Sequence, residues 1–104
     1  MTDIRLPDDC ATMTQVRAGV DATDRALMAL LDRRFAYMRA AARIKPKREQ
    51  VRDEARKATV IANARADAAA RGLPAEPLAA IWERLVEASI AHELDEWDRL
   101  ERTT

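Results

Sequence analysis

The sequence predicts an all-α fold in which each chain forms three helices, beginning with a long one. Hydrophobic residues make up 48% of the 104 residues, whereas aromatic residues make up 4% and there are only 2 glycines. This composition is typical of long helices and untypical of β-sandwiches. Apolar residues also recur at steps of three and four, which is the period of an amphipathic helix. The length predicts a single domain, residues 1–104.

The first helix is predicted over residues 13–45. Thr12 or Thr14 can cap its start, and Pro46 ends it because proline disfavours helical backbone at the residue before it. Such a helix is about 48 Å long, whereas a globule of about 100 residues has a radius of gyration near 13 Å. One small chain cannot cover this helix. We therefore expect a homodimer in which the first helices of two chains pair.

Two shorter helices follow a polar connection over residues 45–50. The second helix is predicted over residues 51–71, with Gly72 suited to the position just after its end. The third is predicted over residues 77–101, with Pro77 as its first residue. The second helix is rich in alanine, so its apolar face buries little area per residue. This thin face also favours a dimer.

Charge and motif content exclude several classes of function. The 18 basic and 18 acidic residues cancel, which argues against binding to nucleic acid or to a membrane surface. The single cysteine and single histidine, Cys10 and His92, predict no internal disulfide, no metal site and no Cys–His catalytic pair. His92 is interpreted as a packing or surface residue. The N-terminus lacks the apolar core of a signal peptide, and no apolar run has the length of a membrane span. We expect a cytoplasmic protein without a cofactor.

Polar side chains lie on or beside the apolar faces of all three predicted helices. They are Arg17, Asp24, Arg34, Lys45, Asp53, Arg56, Ser89 and Glu93. Taken singly, each is readily explained as a solvated charge or as half of a surface ion pair. Together, three arginines and a lysine would place costly charge inside a helical bundle. A small molecule with two carboxylates would neutralise them, because arginine binds carboxylate in a bidentate fork.

Three stretches, residues 16–45, 51–57 and 81–94, together resemble the all-α (type II) chorismate mutase family. The shared marks are Arg17, Asp24, the Leu30–Leu31 pair, Arg34, Lys45, Asp53, Arg56, Ser89 and Glu93. The resemblance covers about residues 10–97. It implies an intertwined homodimer of three-helix chains with two equivalent sites. It also implies the rearrangement of chorismate to prephenate, on the way to phenylalanine and tyrosine, without a cofactor.

The resemblance also implies roles for individual residues. Arg34 and Arg17 would bind the substrate carboxylates, with Arg17 contributed across the dimer interface. Lys45 would donate to the ether oxygen of the breaking bond, and Glu93 would occupy the second donor position. Many members of the family carry Gln where this chain has Glu93, so we expect activity to be highest on the acid side. The predicted catalytic residues are therefore Lys45, Glu93 and Arg34.

Three further residues match substrate contacts of the family. Arg56 resembles an additional active-site arginine, Asp53 a contact to the ring hydroxyl, and Ser89 a contact to a carboxylate. The chain departs from the family pattern at Lys57, where a glutamate near the substrate hydroxyl is common. This departure leaves the hydroxyl without that contact.

Two alternatives to a mutase remain open. The segment Leu-Pro-Asp-Asp-Cys at residues 6–10 resembles the related isochorismate-pyruvate lyases of siderophore synthesis, which share the fold and eliminate pyruvate from isochorismate. This chain has Lys57 where the family commonly has a glutamate that contacts the substrate hydroxyl. The replacement is compatible with isochorismate, whose hydroxyl lies at another ring position. The other alternative is a helical dimerisation module without catalytic activity, which would not require inward-facing arginines.

Overall fold

The computed structural model describes residues 4–102, and within them it contains three α-helices and no strand. α1 spans Met13–Ile44, α2 spans Glu54–Ala70 and α3 spans Ala75–Arg102. The predicted all-α class is confirmed, as is the long first helix of 32 residues.

α1 begins at a capping box. The backbone N–H of Gln15 donates to the hydroxyl of Thr12 at 3.2 Å, and the Gln15 side-chain oxygen accepts from the Thr12 backbone N–H at 3.2 Å. The same oxygen accepts from the Ala11 N–H at 2.7 Å. These bonds satisfy donors that have no partner inside the helix. Of the two predicted capping residues, Thr12 is the one used.

Contacts divide the chain into two units, of which the first ends at Arg34. It holds a one-turn 3-10 helix at Pro7–Asp9 and the first part of α1. Large apolar side chains of α1 remain open to solvent here: Val20 is 52% exposed, Leu27 51% and Leu30 55%. The apolar stripe predicted for this helix is therefore present but largely uncovered in the single chain.

The second unit begins at Phe35 and carries the end of α1, a 3-10 turn at Arg48–Gln50, α2 and α3. Its core is formed by Val51, Val86 and Ile90. Partly buried apolar side chains of α2 and α3 pack around this cluster, namely Val60, Ile61, Leu94 and Trp97. The residues just before α2 are thus held against α3 by hydrophobic contact.

α2 begins at Glu54, three residues later than predicted. The prediction was wrong because the apolar Val51 matches the helical period but directly follows the 3-10 turn Arg48–Gln50, outside α2, where it is buried in the core. Asp53, the residue immediately before α2, caps the helix. Its side chain accepts a hydrogen bond from the backbone N–H of Arg56 at 3.0 Å, as an N-cap does.

The turn between α2 and α3 is closed by Gly72, as predicted. Gly72 has φ of 71°, the left-handed region that glycine reaches without steric cost. The N–H of Leu73 donates to the Ala68 carbonyl at 2.9 Å and that of Gly72 to the Ala69 carbonyl at 3.1 Å. This pair of bonds is a Schellman motif.

α3 begins at Ala75, two residues before the predicted start. Pro77 therefore occupies the third helical position instead of the first. The helix tolerates it there because the first backbone N–H groups of a helix have no acceptor within the helix.

Candidate active site

The middle of α3 presents two polar side chains toward the protein interior. Among the described residues, the buried polar or charged ones are Ser89, with 3% of its surface exposed, and Glu93, with 4%. They lie four residues apart and therefore on one face of the helix. The Ser89 hydroxyl donates to the carbonyl of Leu85 at 2.7 Å. Both residues were singled out from the sequence because they interrupt an apolar stripe.

Lys45 meets this face of α3 from the segment that follows α1. Its ammonium lies 2.7 Å from Oε2 of Glu93 and 3.5 Å from the carbonyl oxygen of Val51. The indole N–H of Trp97 donates to the backbone carbonyl of Lys45 at 3.1 Å. The Lys45 side chain remains 29% exposed, whereas that of Glu93 is 5% exposed. A cation that solvent and ligands can reach therefore stands over a buried carboxylate.

Asp53 and Arg56 lie close to this arrangement at the start of α2, and both are exposed. One carboxylate oxygen of Asp53 is engaged in capping the helix. The guanidinium of Arg56 makes no hydrogen bond or ion pair with another described residue. The three-residue spacing of Asp53 and Arg56 is therefore that of an N-cap and the backbone N–H it accepts from, and the exposed Arg56 side chain is accessible to a ligand.

An open depression lies at the end of α1 and the start of α2. It has a volume of about 630 Å³, within the range of small-molecule sites. Its lining includes Ile44, Lys45, Pro46, Arg52, Asp53 and Glu54. Two candidate residues, Lys45 and Asp53, therefore share one concave surface.

The arginines of the first unit lie on α1. Arg17 is exposed and Arg34 is half-buried. A cavity of about 440 Å³ in this unit lies between the N-terminal segment and α1, with a mostly apolar lining that includes Leu6, Val16 and Val20. Neither Arg17 nor Arg34 lines it, although Arg5 and Asp24 do, so this cavity does not bring together the two arginines expected to bind the substrate.

The family model for chorismate mutase type II matches residues 16–94, which is more than half of the chain. The chain belongs to the chorismate mutase type II family. The resemblance inferred from the sequence is thereby confirmed. The comparison with curated proteins gave no match. Within the described part of the chain, no helix is both long enough and apolar enough to cross a membrane.

In this member of the chorismate mutase type II family, Lys57 is bound by carboxylates of α3. Its ammonium lies 2.8 Å from Oε1 of Glu83 and 2.7 Å from Oε2 of Glu87. The hydrogen bonds to Glu83 and then Glu87 raise the pKa of Lys57 above its ordinary value. Lys57 therefore stays charged and is held by α3.

Glu87 also binds Arg52, which stands immediately before the capping aspartate. The two guanidinium nitrogens of Arg52 lie 3.1 Å and 2.8 Å from the two oxygens of Glu87. Arg52 and then Lys57 lower the pKa of Glu87 to about 2 through hydrogen bonds to its ionised form. Neither Arg52 nor Glu87 was among the residues selected from the sequence. The sequence does contain a pattern that could have indicated them. Basic residues recur at positions 45, 48, 52 and 57, and acidic residues recur at positions 83, 87, 93 and 98.

His92 packs against α1 in the second unit. Its ring nitrogen Nε2 lies 3.0 Å from a guanidinium nitrogen of Arg39, and its ring makes an edge contact with Phe35 at 5.0 Å. Since guanidinium has only donors, this nitrogen of His92 is the acceptor. His92 was interpreted as a packing or surface residue, and the structure places its half-buried ring against Phe35 and Arg39.

Proposed function

We propose that this protein is a chorismate mutase, which catalyses the Claisen rearrangement of chorismate to prephenate. The observation that carries the proposal is the Lys45–Glu93 pair beside buried Ser89. These polar groups stand where a helical bundle otherwise buries apolar side chains, and a ligand can reach Lys45. A purely structural bundle gains little from such a pair, because desolvating two charges offsets their attraction.

The proposed reaction requires positioning and electrostatic stabilisation. In the rearrangement the ether C–O bond breaks as a C–C bond forms, with no net proton transfer and no nucleophile from the protein. Holding the extended dianion in a folded conformation lowers the entropic part of the barrier. We assign the substrate carboxylates to Arg34 and to Arg17 of the partner subunit. Arg56, Asp53 and Ser89 complete the substrate contacts in this proposal.

Lys45 is the proposed donor to the ether oxygen. Negative charge grows on that oxygen as the C–O bond lengthens, and a fixed ammonium stabilises it. Glu93 is proposed as the second donor when it carries a proton, because a carboxyl group donates only in that form. Ionised Glu93 instead binds the Lys45 ammonium, which competes with the developing negative charge.

The proposed assembly is a homodimer. Apolar side chains along α1 support it, since Val20, Leu27, Met28 and Leu30 are each more than half exposed in the single chain. A contiguous apolar stripe of this kind is usually an interface. Pairing the long helices of two chains would cover it and would allow one α1 to serve two sites. We place the dimer in the cytoplasm, on the route to phenylalanine and tyrosine.

A second candidate activity is the elimination of pyruvate from isochorismate. The observation that favours it is Lys57, whose ammonium is bound by Glu83 and Glu87. The position that commonly supplies a carboxylate to the substrate hydroxyl supplies none here. A substrate with its hydroxyl elsewhere on the ring would not need that contact.

The deciding experiment offers the purified protein chorismate and isochorismate separately and follows the loss of each with product identification. Conversion of chorismate to prephenate supports the mutase, and release of pyruvate from isochorismate supports the lyase. Loss of neither substrate above the uncatalysed rate would contradict both activities and favour a non-catalytic helical module.

A further inference from the structure

Four basic side chains between residues 45 and 57 bind carboxylates of α3. The pairs are Lys45 with Glu93, Arg48 with Asp98, Arg52 with Glu87, and Lys57 with Glu83 and Glu87. Residues 45–53 are called the connecting segment below. Each pair joins this segment, or the first turn of α2, to α3. The connecting segment is therefore attached to α3 by charge as well as by its buried valine.

Two of these pairs are forked: Arg48 contacts both oxygens of Asp98 at 2.8 Å and 3.1 Å, and Arg52 contacts both oxygens of Glu87. Of the two, the Arg52–Glu87 pair lies next to the candidate site. The guanidinium approaches both carboxylate oxygens, at 3.1 Å and 2.8 Å, and one of its nitrogens also lies 2.8 Å from Glu54. Such a fork restricts orientation more than a single contact does. Because Glu87 also accepts from Lys57 at 2.7 Å, it links the connecting segment to α2.

The two sequence neighbours of Arg52 belong to the candidate site. On one side, the Val51 carbonyl oxygen lies 3.5 Å from the Lys45 ammonium. On the other side, Asp53 lines the same depression as Lys45 and caps α2. Holding the backbone at Arg52 therefore also restricts the positions of the Val51 carbonyl and of Asp53.

We propose that Arg52 and Glu87 are positioning residues, whose ion pair holds the connecting segment on α3 and so sets the positions of Lys45 and Asp53. Arg52 itself lines the depression and Glu87 does not, but neither residue needs to touch the substrate for this role. The inference rests on the proposed function for its effect on turnover. Its effect on the segment itself is independent of any activity.

The test compares Glu87→Gln with Glu76→Gln in the full chain. Glu76 is a matched control, since it pairs with Arg65 at 2.9 Å and also joins α3 to α2. We measure amide hydrogen exchange of residues 47–53 and the steady-state kinetics with chorismate and isochorismate. In Glu87→Gln we expect faster exchange in that segment, with the amide of Ile90 unchanged as evidence of intact folding. Glu76→Gln should leave both properties at wild-type values.

The expected kinetic effect is on turnover. One exposed charge pair shifts an equilibrium by about fivefold at most, so kcat of Glu87→Gln should fall by about that factor while KM changes by less than about twofold. Arg52→Lys keeps the charge without the fork and should lose only part of kcat. Raising the salt concentration from about 0.05 M to about 0.5 M should lower kcat of the wild type, because it screens the pair. Glu87→Gln has already lost this pair but keeps those of Lys45 and Arg48, so its kcat should also fall, by a smaller factor.

Three results separate the steps of the proposal. Unchanged exchange at residues 47–53 in Glu87→Gln would show that the pair does not hold the segment. Faster exchange with unchanged kcat would show that the segment is held without positioning the site, and would overturn the assigned role. If the wild type converts neither substrate, the proposed function fails and the positioning role fails with it. The exchange data then still decide whether the pair holds the segment.

Discussion

The Lys45 ammonium and the Glu93 carboxylate lie 2.7 Å apart although 48 residues separate them in the sequence. The contact joins the residue that follows α1 to the middle of α3. Glu93 is buried, and a buried carboxylate is costly without a compensating charge. Lys45 provides that charge in the ligand-free chain. A substrate that recruits Lys45 therefore changes the environment of Glu93, and the first two predictions follow from this linkage.

Lys45→Ala should lower kcat by at least about 100-fold, the scale of removing one charged donor from a site that stabilises an oxyanion. Steady-state kinetics with chorismate measure the loss, after circular dichroism has shown that the variant is folded. Lys45→Arg should not restore full activity, because the guanidinium is larger and places its charge differently. Lys47→Ala, an exposed neighbour, is the control. A change confined to KM would mean that Lys45 does not act on the breaking bond.

Glu93→Gln should flatten the dependence of kcat on pH. In the wild type, activity should be higher on the acid side and fall as pH rises, because only the protonated carboxyl donates and the ionised form opposes the growing negative charge. Glutamine donates at every pH, so the variant should keep its activity in alkaline solution. The two profiles are compared with folding checked at each end. Parallel profiles, or an inactive variant, would instead indicate that Glu93 works as an anion that orients Lys45.

Mixed dimers of Arg17→Ala and Arg34→Ala chains should regain activity that neither variant has alone. If each site takes Arg34 from one chain and Arg17 from the other, one of the two sites in a mixed dimer is intact. Random pairing makes about half of the dimers mixed, so about a quarter of wild-type activity should return. Subunit exchange is verified independently with differently tagged chains. Exchange without recovery would show that both arginines serve the same site from one chain.

Glu87 should contribute stability that disappears in acid. Its pKa in the folded chain is lowered from 4.5 to about 2, so its contribution is complete above about pH 4.5 and is lost as the pH falls toward 2. The difference in Tm between the wild type and Glu87→Gln should therefore be largest near neutral pH and shrink through that window. Glu76→Gln serves as the reference for an exposed pair. A Tm difference that stays constant from pH 7 to 2 would contradict the role of the ionised carboxylate.

Gly72→Ala should destabilise the protein by about 1 kcal/mol, the cost of forcing a side-chain-bearing residue into left-handed backbone. A Cβ at this position would meet no atom within 4 Å, so the cost is that of the backbone alone. Gly72→Asn should cost less, since asparagine tolerates this conformation better. Chemical denaturation at equal protein concentrations measures both changes. An alanine variant as stable as the wild type would mean that the turn relaxes to another conformation.

Several features follow from the sequence alone because they depend on local preferences. The helical period of apolar residues predicts the three helices, and Pro46 and Gly72 mark two of their ends through the backbone angles they impose or permit. Ser89 and Glu93 could be identified because polar residues within an apolar stripe are conspicuous. The start of α2 was misplaced for the same reason, since Val51 fits the helical period although it packs outside the helix.

Other features were decided by tertiary packing. The ion pairs depend on which parts of α3 face the connecting segment and the first turn of α2. These pairs are Lys45 with Glu93, Lys57 with Glu83 and Glu87, and Arg52 with Glu87. Every basic residue of this part of the chain can form an ion pair with any of the acidic residues of α3. Composition and spacing alone therefore do not predict which pairs form. Burial of Val51 against α3 selects one arrangement. The sequence therefore determined which charges were available, and packing between elements distant in the chain determined how they pair.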